Sequence, residues 1–86
     1  MDIIELIAIV KKKLKNQISI ENIDIEDKTF LHKNHKGFQL GKFHLKILIQ
    51  SDTLKKMNKI ESNKLIYKTL EKELKENIHS IQILIN

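Results

Sequence analysis

The stretch FHLKILIQ, residues 43–50, sets the strongest limit on the fold. Phe43, Leu45, Ile47 and Ile49 alternate with His44, Lys46, Leu48 and Gln50. Successive side chains of an extended chain point to opposite faces, so this period of two puts an apolar row on one face of a strand. A lone strand leaves its backbone groups unpaired and its apolar row in water, so it needs neighbours. Two other segments can supply them. Ile23 and Ile25 alternate with Asn22, Asp24 and Glu26, and Ile81, Ile83 and Ile85 alternate with Ser80, Gln82 and Leu84. Both read as strands with one buried face.

Helical periodicity provides the cover for that face. Ile3, Ile7, Val10 and Leu14 recur at helical spacing, with Ile4 and Leu6 widening the stripe, which predicts a helix over 2–15. Asp2 followed by Glu5 reads as its capping box, and Lys11, Lys12, Lys13 and Lys15 suit the negative end of its dipole. Asp52 and Thr53 open a short helical turn through Met57. A longer helix is expected over 62–76, with Leu65, Ile66, Leu70 and Leu74 inward and Glu71 paired with Lys75. The order is then α-β-β-α-α-β: a small three-stranded sheet with helices on one face, an α+β fold. The second and third strands are joined through helices, which calls for a crossover connection.

Size and composition narrow the function. A chain of 86 residues is one small domain, 1–86, with little room for an enclosed catalytic cavity. That favours a binding, carrier or adaptor role over an enzyme. The net charge of +5 comes with lysine only, and no arginine is present. Lysine lacks the bidentate fork that reads guanine, so the charge implies loose attraction to anions. The absence of cysteine excludes disulfides and thiol chemistry within the chain. The apolar N-terminal run is too short for a membrane span, and its lysines follow it rather than precede it. The expected location is the cytoplasm, with no membrane partner.

Three of the 4 histidines, His32, His35 and His44, lie in DKTFLHKNHKGFQLGKFH, residues 27–44. Gly37 and Gly41 mark the segment before the strand as a loop. The three imidazoles could ligate zinc with water in the fourth position, or simply be solvated. No carboxylate stands at a spacing that would complete a hydrolytic site.

Asp27, Thr29, His32 and His35 stand as D-x-T-x-x-H-x-x-H, which resembles the D-x-S-x-x-H-x-G-H loop of BolA-like proteins. HLKILIQS, residues 44–51, is similar to that family's H-F-x-V-x-V-V-S strand. LIYKTLEKEL, residues 65–74, resembles its V-Y-x-x-L-x-x-E-L helix, and IHSI, residues 78–81, its I-H-A-L segment. Each motif is weak alone, and the ordered set is specific. Where the family carries Arg-His-Arg before this helix, the chain has Ser62, Asn63 and Lys64.

The resemblance implies a fold like type II KH domains. It implies a monothiol glutaredoxin, with its glutathione, as partner, and a [2Fe–2S] cluster shared between the two in iron–sulfur trafficking or iron sensing. The family's ligand positions fall on His32 and His79, with His35 as the other loop candidate. His44, Lys64 and Tyr67 are the expected partner-binding residues, with His44, which alternates away from the Phe43 and Leu45 face, read as a strand-surface or partner-packing residue. A chain without thiolates cannot complete a normal iron–sulfur site alone, which agrees with a shared one. The alternative is a nucleic-acid-binding regulator. Its glycines, however, bracket GFQLG, one residue wider than the G-x-x-G clamp of KH domains, so any binding should be weak and salt-dependent.

Overall fold

The structure, a computed structural model, describes residues 1–29 and 42–86. Seven elements follow in order: α1 (Ile3–Gln17), β1 (Asn22–Asp27), β2 (Phe43–Gln50), α2 (Asp52–Lys55), α3 (Lys59–Thr69), α4 (Glu71–Glu76) and β3 (Ile78–Ile85). The α+β architecture is the one the periodicities imply.

The three strands form one mixed sheet in the order β1-β2-β3. The strand with the clearest alternation, β2, is the central one. β1 runs antiparallel to it, with Ile23 opposite Ile49 and Ile25 opposite Ile47. β3 runs parallel to it, with Leu45, Ile47 and Ile49 opposite Ile81, Ile83 and Ile85. A parallel partner needs a crossover, and α2, α3 and α4 provide it. The register therefore aligns the three apolar rows on one face. Leu6, Val10 and Leu14 of α1, Leu54 of α2, Ile66 of α3 and Leu70 at the α3–α4 junction are buried in the same core.

Asp2 caps α1 by accepting from the Glu5 N–H at 2.8 Å. The buried stripe of this helix is Leu6, Val10 and Leu14, in steps of four; Ile3 and Ile7 flank it and Ile4 is 79% exposed. The expected stripe of Ile3, Ile7, Val10 and Leu14, widened by Leu6, therefore faces the core, and only Ile4 departs from it. The helix expected over 62–76 is two. It begins earlier, at Lys59, because Asn58 accepts from the Glu61 N–H and its side-chain amide donates to the Glu61 carboxylate, both at 2.8 Å. It breaks at Leu70, whose φ of −101° and ψ of 17° leave the helical region while its side chain stays fully buried. The break re-aims α4, so that Glu73 is buried and its Oε2 lies 2.6 Å from Lys13 Nζ.

Among the described residues no helix is long and apolar enough to cross a membrane.

Candidate metal-ligand site

The site starts at the end of β1. Asp27 Oδ1 accepts from the Thr29 N–H at 3.0 Å and from the Thr29 hydroxyl. Short polar side chains bond their own backbone two residues on, which stabilises such turns. Thr29 Oγ1 in turn accepts from the His44 N–H at 3.2 Å, and the Lys28 N–H donates to the His44 carbonyl at 2.7 Å. Residues 27–29 therefore hold both backbone groups of His44. The D-x-T half of the histidine motif anchors the start of β2.

The side chain of His44 lies on the sheet face away from Leu45, as alternation requires. It is nevertheless only 6% exposed, so of the two expectations the strand-surface one does not hold. The cause lies in β3. Phe43 pairs with Ile78 and His44 with Ser80, which leaves His79 as an extra residue, a β-bulge. In a regular strand consecutive side chains point to opposite faces. The bulge lets two consecutive residues reach one ring: His44 Nδ1 lies 2.6 Å from Ser80 Oγ and its Nε2 lies 3.2 Å from His79 Nδ1. The two imidazoles meet edge to face, with centroids 4.8 Å apart and planes at 77°. Re-aiming a side chain is a common use of bulges beside functional sites.

His79 itself is exposed. It was expected between the last helix and a strand starting near Ser80; it lies inside β3, which starts at Ile78. Its Nδ1 is taken by His44, so Nε2 is the nitrogen it can offer to a ligand. Ser80 was not among the expected site residues. Its signal was the spacing of the apolar positions 78, 81, 83 and 85, where a step of three interrupts a period of two.

His32 and His35, with Gly37 and Gly41, lie outside the described residues. Lys64 and Tyr67 sit on the outer side of α3, apart from the histidine contact, and both are exposed. Ile60, which the sequence reading did not single out, is 77% exposed on the same stripe, four residues before Lys64 and seven before Tyr67, itself 44% exposed.

Among the described residues no group of three or more His, Cys, Asp or Glu side chains could hold a metal. With no cysteine in the chain, its donors to iron are imidazoles and carboxylates. Both ring nitrogens of His44 face Ser80 and His79, so zinc ligation by His32, His35 and His44 would disrupt one of those contacts. The donor set fits one or two nitrogen positions at a site whose thiolates come from another molecule. Beside His44 a cleft of about 490 Å³ is lined by Lys28, Lys46, Ser80 and Gln82.

Comparison with known proteins gives the family and the fold. The family model described as BolA-like protein matches residues 14–86. The DNA-binding transcriptional regulator BolA of Haemophilus influenzae is 27% identical over 75 residues, which cover 87% of this chain and 70% of that protein. The SufE-like protein 1, chloroplastic/mitochondrial, of Arabidopsis thaliana is 25% identical over 79 residues, 86% of this chain but only 21% of that much longer protein. The solved BolA domain of SufE1 from the same plant superposes with a TM-score of 0.76 at 25% identity, covering 92% of this chain and 87% of the domain.

Proposed function

The chain belongs to the BolA-like family, and on that premise we propose that it is a non-catalytic adaptor that binds a monothiol glutaredoxin and shares a [2Fe–2S] cluster with it. The observation that carries this reading is His79, an exposed imidazole held through Nδ1 with Nε2 available. His79 supplies one ligand, and His32 or His35 supplies the second. The partner and its glutathione supply thiolates. The bound cluster contributes one-electron chemistry, and imidazole in place of thiolate raises its reduction potential. The lysines of the cleft, Lys46 and the Glu26-paired Lys28, suit the carboxylates of glutathione. Lys64 and Tyr67 extend the partner surface on α3. Trafficking or sensing of iron–sulfur clusters in the cytoplasm is the role this chemistry fits.

Visible circular dichroism tests it. Wild type titrated into a [2Fe–2S]-loaded monothiol glutaredoxin should give a new spectrum. His79→Ala and one of His32→Ala and His35→Ala should abolish it. A glutaredoxin spectrum that wild type leaves unchanged would overturn the reading.

The name of the Haemophilus relative and the net charge of +5 favour a second reading, nucleic-acid binding. With lysine alone, such binding should be sequence-blind and weaken steeply with salt. Tight, sequence-selective binding at physiological salt would reverse the ranking.

A further inference from the structure

A neutral imidazole carries one N–H and one bare nitrogen, and a metal takes only the bare one. For His79 to bind through Nε2, its proton must sit on Nδ1. That nitrogen faces His44 Nε2 at 3.2 Å, so His44 Nε2 must be the acceptor. The proton of His44 then sits on Nδ1, which faces Ser80 Oγ at 2.6 Å. The reverse setting, with Ser80 donating, puts a proton on His79 Nε2 and blocks the metal. One hydroxyl and one buried imidazole therefore decide which nitrogen of His79 is bare.

We propose that His44 is a positioning residue for His79, and that Ser80 is the acceptor through which His44 keeps His79 Nε2 bare. This rests on the reading of His79 as a ligand. The support lies in how much of the fold is committed to the contact. His44 is 6% exposed and held at its N–H by Thr29 and at its carbonyl by the Lys28 N–H. The bulge at His79 lets consecutive residues converge on one ring. A buried polar group must have its ends bonded, and the two ring nitrogens of His44 meet this through Ser80 and His79, which fixes the orientation of the ring. Ligating histidines commonly donate their other N–H to an acceptor that fixes the tautomer, and here the acceptor is a second imidazole.

The test uses the chain alone. Long-range ¹H–¹⁵N spectra of the imidazoles, recorded about two pH units above the usual histidine range, report which nitrogen carries the proton. In wild type, both His44 and His79 should be protonated at Nδ1. Ser80→Ala, at an exposed position, should move both rings toward the Nε2–H form. His44→Phe should release His79 to a mixture. A wild-type His79 with its proton on Nε2, or a His79 tautomer unchanged in both variants, would overturn the proposal. In the glutaredoxin titration, Ser80→Ala and His44→Phe should weaken cluster sharing roughly 10- to 100-fold, against complete loss with His79→Ala. That titration decides the ligand reading, and the imidazole spectra decide the positioning role separately.

Discussion

Lys13 Nζ lies 2.6 Å from Glu73 Oε2 and ties α1 to α4. The side chain of Glu73 is 5% exposed and that of Lys13 is 38% exposed. Glu73 Oε1 has no hydrogen-bond partner among the described residues. The carboxylate is therefore the group at risk. Lys13→Met leaves it buried and uncompensated, which should cost about 2–3 kcal/mol, below the range for fully buried pairs because Lys13 is partly solvated. Replacing both, Lys13→Met with Glu73→Leu, should cost less than Lys13→Met alone. Urea unfolding of the two variants checks this, and a double variant that is the less stable would count against it.

Thr29 should matter through His44. Thr29→Val keeps the shape but removes the acceptor of the His44 N–H, a loss expected to cost about 1–3 kcal/mol. Thr29→Ser keeps the hydroxyl and should restore most of it. The same variants should perturb the imidazole signals of His44, so stability and ring environment should move together.

Ser51 fixes the exit from β2. It is fully buried; its hydroxyl donates to the Ser19 carbonyl at 2.7 Å and accepts from the Leu54 N–H at 3.1 Å. Ser51→Ala removes an N-cap and strands a backbone carbonyl, and should cost about 2 kcal/mol in chemical denaturation. Ser51→Thr keeps both bonds but adds a methyl to a packed site, so it should fall between the two.

The stripe of Ile60, Lys64 and Tyr67 separates binding from stability. All three are exposed, so Ile60→Ser, Lys64→Glu and Tyr67→Ser should each change folding stability by no more than about 0.5 kcal/mol. If α3 carries the partner surface, Tyr67→Ser should weaken glutaredoxin binding about tenfold, in the range of interface aromatics. Calorimetric titration reads the affinity. An unchanged affinity for all three variants would remove this stripe from the interface.

The parts of the fold readable in the sequence were those carried by local periodicity. β2 was plain because Leu45, Ile47 and Ile49 alternate without interruption, and α1 because Asp2 and Glu5 mark its start. The break at Leu70 was hidden, since LIYKTLEKEL keeps helical spacing across it and only the docking of α4 on the core requires the bend. His79 could be singled out by family resemblance, but its partner could not. The burial of His44 comes from residues 35 and 36 positions away, brought beside it by the parallel register and the bulge. Local pattern carries no trace of that pairing except the odd step from Ile78 to Ile81.

The parallel pairing of β2 with β3 also has a kinetic consequence. Contacts between residues far apart in the chain must close a long loop before they return any free energy, so they tend to form late. The contact between His44 and His79 belongs to this group, whereas the turn at Asp27 and Thr29 is local. A chain still folding would thus have its Asp27–Thr29 turn in place and its imidazole pair apart. The hold of His44 on His79 is therefore a property of the finished molecule, and on the proposed cluster role a partly folded copy would present His79 unaligned.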